Sequence, residues 1–585
     1  MTVINNLTIW KYSFTLCLAV VLFFSNTTDT IGQDLANIGK GEALKVSGSI
    51  NANQVLYLSQ GIDGRRDPYN YFIAGNLNLS IYGWAIPLSF SYSNQNSSFQ
   101  QPFNQYGLSP TYKWVTLHAG YRSLSFSKYT LNGHLFLGGG VEVAPTDKIR
   151  VSAIYGRFQQ AVEEDTTRQG NVPAYRRMAG GVKFTYGDSK DFVDVIIFKA
   201  KDDENSLASP PIANNVNPEE NLVLGVGFNK TFSKKLVLKA EYASSAISQD
   251  IRAEEVTSGN VYDGLSFAFR PRVSSSYYQA VNAAIQYKIK GAGFGLAYER
   301  VDPGYRTLGS YFFNNNLENI AFTNTLVAMK NKVRLNWRMG VQRNNLDNEE
   351  LNTLRRLSGA INVSFMASPK MIYNASYTNF RTVVNFRSQF DQINQAGPFL
   401  NLDTLNYKQV AQNANLNANF VLNDSKERRQ NLNVNIAYQQ SADEQANVEQ
   451  PTGASFYNIN SSYSLSLGST TTMSAAFNAN LTNTIANTNS IIGPSLGIRK
   501  NFFDRKLSTN ASFSFNNSYN DGILTSRIAN MRFSGSFSVK EKHQLALNFT
   551  GVSRFSISNS GQDDQQENRF KEFTIQFGYN YSFGN

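Results

Sequence analysis

Residues 573–583 read FTIQFGYNYSF. Phe573, Ile575, Phe577, Tyr579, Tyr581 and Phe583 are all large and apolar or aromatic. Between them stand Thr574, Gln576, Gly578, Asn580 and Ser582. Side chains of a β-strand point alternately to its two faces, so this period of two gives one apolar face and one neutral polar face. Residues 507–516 repeat it, with Leu507, Thr509, Ala511, Phe513 and Phe515 against Ser508, Asn510, Ser512, Ser514 and Asn516. So do Leu432, Val434, Ile436 and Tyr438 against Asn431, Asn433, Asn435 and Gln439. The fold class is all-β.

Three features separate these strands from those of a water-soluble sheet. The polar face is mostly uncharged, and the whole chain of 585 residues is only 17% charged, where a soluble protein is about a quarter charged. The alternating segments run about 11–16 residues, long for soluble strands and right for tilted strands crossing a bilayer. Aromatics such as Tyr186, Phe232, Phe503 and Phe583 fall at strand ends, as in an interfacial girdle. With 41 Phe and 30 Tyr the chain is no disordered polymer. After the first 30 residues no apolar run approaches the ~20 residues of a membrane helix. In lipid an open sheet edge leaves backbone groups unpaired, so the sheet has to close. The expectation is a transmembrane antiparallel β-barrel.

Short and long connections alternate from residue 145 onward. Tight turns fall at 187–189, 233–234, 290–291, 331, 368–369, 468–469, 503–504 and 540–541. Longer loops fall near 162–174, 202–219, 247–275, 304–316, 383–405, 443–452 and 556–566. Outer-membrane barrels have short periplasmic turns and long extracellular loops, which orients the chain. The alternating segments number 25, and single-chain bacterial barrels have even numbers. The parity breaks between residues 97 and 144, so part of 97–134 is expected to leave the wall for the lumen or a rim. That leaves about 24 strands, with 22 to 26 as the range.

Lys11 precedes an apolar stretch from Tyr12 to Phe24 and a polar run from Ser25 to Gln33, the layout of a secretory signal peptide. Thr30-Ile31-Gly32 supplies the small residues of a cleavage site, so 1–32 is read as the signal, 33–43 as a short periplasmic segment and 44–585 as the barrel. The single cysteine, Cys17, lies inside the signal, so the mature chain has no disulfide and no Cys-based metal site. This points to export across the inner membrane of a Gram-negative cell and residence in the outer membrane. Strand-like alternation begins near Leu44, which leaves no room for a plug domain ahead of the barrel.

Parity also sorts the charges. In 332–342, Val333, Leu335, Trp337, Met339 and Val341 face lipid, so Lys332, Arg334 and Arg338 face the lumen. Lys183, Lys239 with Glu241, Lys288 with Lys290, and Arg532 lie on polar faces too, and Arg65 and Arg66 stand in an unusual Arg- and Tyr-rich stretch. These make a candidate lumen and constriction set of Arg65, Arg66, Lys183, Lys288, Lys332, Arg334, Arg338 and Arg532. With the net charge of +11, it favours anions weakly. The same basic residues, spread around a cylinder, do not form a nucleic-acid surface. The three histidines carry no metal-ligand spacing. His118 and His134 flank the irregular region near Asp63 and Asp67, but nothing in the sequence fixes an acid–base geometry. Neither an enzyme nor a cofactor is expected. The Gly138-Gly139-Gly140 triplet continues as a strand in Val141-Glu142-Val143, so it is read as a place of curvature or close backbone approach, not a phosphate loop.

The stretches RRDPYNYFIAGNLNLSIYGWAIPLSFSYSNQ, NQYGLSPTYKW and GYRSLSFSKYTLNGHLFLGGG resemble outer-membrane β-barrel proteins of Bacteroidota. FTIQFGYNYSF looks like the aromatic terminal strand that barrel-assembly machinery reads, with Phe577, Tyr579, Tyr581 and Phe583 as the signal. The resemblance implies a large barrel in contact with outer-membrane lipid and that machinery, at times beside a surface or secreted protein. It implies no defined activity. The expected function is a porin-like or translocation conduit, occluded by its own loops or by a partner; the alternative is a non-conducting anchor or assembly partner for a surface protein.

Overall fold

The computed structural model describes Leu44 to Gly584 apart from 82–83, 95–103, 165–172, 210, 212–215, 258, 260, 312–313, 345, 348–354, 380–381, 386–406, 442, 446–447, 451–453, 485, 541 and 559–565. The signal peptide, the segment 33–43, residues 97–103 and most of loop 383–405 lie outside the described residues.

Alternation produces what it predicts, a single antiparallel sheet in which each strand bonds its sequence neighbours. The sheet closes on itself: Leu44–Gln60 pairs with Gln566–Phe583, with Gly48 opposite Phe583 and Leu58 opposite Phe573. The wall has 26 strands. One further four-residue strand, Thr382–Asn385, bonds only the far end of Tyr407–Asp424 and stands outside the wall. Asp443–Gln445 and Val448–Gln450 form a separate hairpin. No α-helix occurs among the described residues, and Val261–Leu265 is a 3-10 turn.

The count of about 24 is therefore low, and the correction is local. Gln105–Leu108 and Thr111–Tyr112 form one short wall strand between Trp84–Ser93 and Val115–Ser125. The even number is restored by adding a strand, not by removing one. Pro110 lacks an N–H and interrupts the ladder, which hides the alternation from sequence. The break is held by two backbone bonds, Ser109 N–H to Pro87 O at 2.9 Å and Leu117 N–H to Pro110 O at 2.9 Å. Of the excursion expected within 97–134, residues 105–125 belong to the wall and its turns, and among the described residues 126–131 turn inward.

The glycines of this region act as a set. Gly107 pairs with Gly120, Gly120 with Gly138, and Gly138 with Gly156, a row across four adjacent strands. A Cβ at Gly138 would stand 2.1 Å from Tyr155 O, and one at Gly120 2.2 Å from Tyr106 O. Gly120 also has φ +89°, a conformation that disfavours side chains. The row is a line of close backbone approach, as the triplet suggested.

The two faces of the wall differ as their sequence does. Val193, Val195 and Ile197 are exposed outside, while Asp194, Ile196 and Phe198 are buried inside. Met339 and Val341 are exposed, and Gln342 is buried. Toward the long-loop end the outer face turns from apolar to ionic. Lys199 meets Glu220 at 3.2 Å, Arg176 pairs with Asp203, and Tyr298 and Arg343 both bond Glu318. Between the short-turn end and this line, the outer face of Val333–Arg343 is apolar for the nine residues 333–341. At a rise of ~3.3 Å and a tilt of ~40°, that is a belt about 20 Å tall.

Candidate luminal site

The turn joining Val115–Ser125 to Asn132–Thr146 does not stand up as a hairpin. Tyr129 is 0% exposed, and its hydroxyl donates to Glu299 Oε1 at 2.8 Å. Seven strands separate the turn from Ala292–Val301, roughly 35–40 Å of wall at ~4.8 Å per strand. Only a path across the lumen reaches so far. The segment 303–311, after Ala292–Val301, folds in to meet it. Tyr305 Oη donates to Tyr129 O at 2.6 Å, Thr307 Oγ1 to Thr130 O at 2.9 Å, and Asn132 N–H to Gly309 O at 2.9 Å. Around this junction Phe126, Leu131, Phe136, Phe158, Phe198 and Leu308 form an apolar core inside the barrel. Burial and the charge on Glu299 push the Tyr129 phenol above its ordinary value; burial does the same, more strongly than any neighbour, at Tyr305. Both remain hydroxyl donors.

The core lines one side of the lumen, from Asn132–Thr146 round to Ala292–Val301. On the long-loop side it floors a recess of about 360 Å³. Here Arg177 reaches Asp202 at 2.7 Å and Glu219 at 3.0 Å, and Arg306 also pairs with Glu219. His134 stacks on Tyr311 at 4.0 Å and lies 4.9 Å from Phe158. His134 is thus a packed ring, far from Asp63 or Asp67 in role. His118 is bonded instead to Ser109 and Glu142.

The candidate cations separate into groups. Arg65 and Arg66 sit on the connection between the first two strands; Arg65 lies 5.1 Å over Phe570 and 3.8 Å from Glu572, and Arg66 lies 5.9 Å over Tyr57. Both lie at the rim, over side chains of the inner face. Lys183 bonds Asp194 at 2.9 Å and Phe126 O at 3.0 Å, so it ties the inturned turn to the wall. Arg338 acts electrostatically on Glu299, which also pairs with Lys128. Lys288, Lys332 and Arg334 are exposed near the short-turn end, with no ion pair among the described residues. Arg532 is half-buried on the inner wall. Phe577, Tyr579, Tyr581 and Phe583 share the outer face at the closing seam, where His543 Nδ1 lies 2.8 Å from Tyr579 Oη and its ring 4.7 Å from Tyr581.

The long loop read at 247–275 lies, over 249–274, outside the wall. Tyr262 is buried against Leu222, Ala246 and Phe269, stacks on Tyr277 at 5.4 Å and donates to Ser244 Oγ at 2.8 Å. Leu222, Ser244, Ala246 and Tyr277 have the parity opposite to the core residues Val223, Ala243, Ile247 and Ala280. The loop is an apron over the outer face. Sequence reasoning missed this docking; the inward turn 126–131 falls within the stretch 97–134 read as leaving the wall for the lumen or a rim, and its local signal is the apolar Phe126-Ser-Lys-Tyr-Thr-Leu131 in a connection otherwise expected to be polar.

No protein-family model matches the sequence, and no curated protein matches it. Among solved structures the chain is similar to the siderophore receptor PirA from Pseudomonas aeruginosa, at 10% identity and a TM-score of 0.40, over 92% of this chain and 80% of that one. It is also similar to the P pilus usher (PapC) translocation pore, at 9% identity and a TM-score of 0.39, over 92% and 100%. An anion-selective porin from Comamonas acidovorans matches at 8% identity and a TM-score of 0.27, over 62% and 100%. The likeness is to closed antiparallel barrels as such.

Proposed function

We propose that this chain is an outer-membrane barrel that passes solutes through the uncovered side of its lumen. The observation that carries this reading is the contrast between its two inner walls. From Asn132 to Val301 the inner wall is backed by the apolar core. From 413 onward the residues opposite in parity to the exposed Leu416, Ile436, Ile459 and Phe477 are mostly amides and hydroxyls, among them Asn417, Asn433, Asn458, Asn460 and Asn478. Oxygens of Asn458, Asn530, Thr550, Gln576 and Asn580 find no hydrogen-bond partner among the described residues. Buried polar atoms of this kind are satisfied by water, and a water-lined wall opposite a dry one describes a channel narrowed from one side. Twenty-six strands spaced ~4.8 Å and tilted ~40° give a circumference of about 160 Å, wide enough for both. The apolar belt outside supports residence in lipid, and the aromatic terminal strand supports delivery by barrel-assembly machinery.

Planar-bilayer recording of the purified full chain tests the reading. The wild type is expected to conduct, and replacing 127–130 by Gly-Ser-Gly-Ser is expected to raise the unitary conductance. Silence from both proteins, with both correctly folded, rules the conduit out. A second reading, an anchor for a surface protein, has one observation in its favour: Phe267 on the apron is 85% exposed. Native-membrane purification that recovers a partner only when Phe267 is intact would support it.

A further inference from the structure

Three neighbouring strands bring Ser109, His118 and Glu142 into one hydrogen-bonded line. Ser109 Oγ lies 2.8 Å from His118 Nδ1, and His118 Nε2 lies 2.8 Å from Glu142 Oε1. The order is hydroxyl, imidazole, carboxylate, with each ring nitrogen committed to one partner. His118 faces the lumen because its neighbour Leu117 is exposed outside; Glu142 shares the parity of the buried core residue Phe136, and Ser109 meets His118 from the same side. The imidazole is enclosed, with 11% of its side chain accessible, and the carboxylate is 43% accessible.

Two further observations distinguish this line from a histidine merely satisfied in a wall. Arg122, also on the inner face, donates to Leu108 O at 3.4 Å, one peptide before Ser109, and to Ser89 Oγ at 2.9 Å. It forms no ion pair among the described residues, so a half-buried cation stands over Gly107, two residues before Ser109 on the same inner face, without a countercharge. The inner face around it is bare. Gly107, Gly120, Gly138 and Gly140 are the residues that would otherwise project beside the line, and a Cβ at Gly107 would fall 3.0 Å from the Arg122 guanidinium carbon.

We propose that Ser109, His118 and Glu142 are a nucleophile, its base and an orienting carboxylate that cleave acyl esters entering the lumen, with Arg122 facing the oxyanion. Glu142 accepts the Nε2 proton and so leaves Nδ1 free to receive the serine proton, the division of labour required of such a triad. Ser109 Oγ attacks the ester carbonyl carbon while its proton passes to His118 Nδ1. The carbonyl electron pair moves onto oxygen, where the charge of Arg122 stabilises it. Collapse expels the alcohol, which leaves with the proton from Nδ1. Water, deprotonated by the same nitrogen, then attacks the acyl-serine and releases the acid. One ester and one water become one acid and one alcohol. This inference holds whether or not the barrel conducts.

The test is covalent labelling of the purified full chain in detergent by a fluorophosphonate probe, with foldedness checked by heat-modifiable gel mobility and the modified peptide identified by mass spectrometry. The expected adduct is on Ser109, is lost in Ser109→Ala, and forms about 100-fold more slowly or worse in His118→Ala. Glu142→Gln, which keeps a polar partner for Nε2 but not the charge, slows labelling as well and serves where His118→Ala does not fold. A folded wild type with no adduct on Ser109 overturns the proposal. So does labelling at the same rate in His118→Ala or Glu142→Gln, since a bystander serine bonded to a structural histidine gives that result.

Discussion

Truncating Arg177 strands two carboxylates. Its side chain is only 13% exposed, and Asp202 beneath it is 2% exposed, so Arg177→Ala leaves buried charge without compensation, a loss of about 3–5 kcal/mol. The midpoint of heat-induced unfolding should fall clearly, and less in the double variant that also replaces Asp202 by Asn. At the short-turn mouth the expectation is functional. Lys288→Gln with Arg334→Gln should lower the anion-to-cation permeability ratio measured from reversal potentials, because these exposed cations have no neutralising partner among the described residues. Lys183→Gln should not act through selectivity, since Asp194 already offsets its charge. The inward position of Lys183 was legible from parity. Its partnership was not, because the register that sets Thr185 opposite Asp194 depends on turn geometry and pairing that no single strand encodes.

Among the elements, the apron 249–274 and the turn 126–131 show how far a loop's length is from its destination. Both were recognisable as connections. Direction was read only as lumen or rim for 97–134 and not at all for the apron, because docking outside or inside is decided by which wall parity offers apolar surface at that height: Leu222, Ala246 and Tyr277 outside for the apron, Phe136, Phe158 and Phe198 inside for the turn. The apron has a pH-dependent anchor. A hydrogen bond from Arg252, assisted by the backbone N–H of Arg252, holds the Asp250 carboxyl below its ordinary value of 3.8. A depressed folded value contributes stability that is present above the ordinary carboxylate value and lost as pH falls through the folded one. Hydrogen exchange in 250–274, corrected for intrinsic rates, should therefore accelerate below about pH 4 relative to the rest of the barrel. In Asp250→Asn the segment should exchange faster at neutral pH and lose that acceleration. Burial and the bond to Ser244 concern a second anchor, Tyr262, whose phenol burial pushes up to about 12, so it takes no part in this transition.

For the whole molecule, closure was the most secure conclusion available from sequence, since an all-β chain with one continuous apolar face has no other way to pair its edges in lipid. The exact number was harder. One six-residue wall strand broken at Ser109-Pro110 gives almost no alternation to read, and missing it shifts the parity of everything before it. The asymmetry of the interior was invisible for a related reason. Phe136, Phe158 and Phe198 look like departures from a polar inner face until the two inturned segments supply what they pack against.

The outer belt of about 20 Å, bounded above by the Lys199–Glu220 and Arg343–Glu318 pairs, has a consequence for the surrounding bilayer. A typical hydrocarbon core is ~30 Å thick, and the bacterial outer membrane is thinner than average. On the membrane reading, the barrel is short for its solvent, and lipids along this arc must compress or tilt to cover no more than the apolar strip. Such mismatch costs fractions of a kcal/mol per Å and is relieved when two thinned annuli merge. The barrel should then partition into short-chain over long-chain phosphatidylcholine vesicles and self-associate more as acyl chains lengthen, a form of sorting written into the height at which its outward lysines and arginines begin.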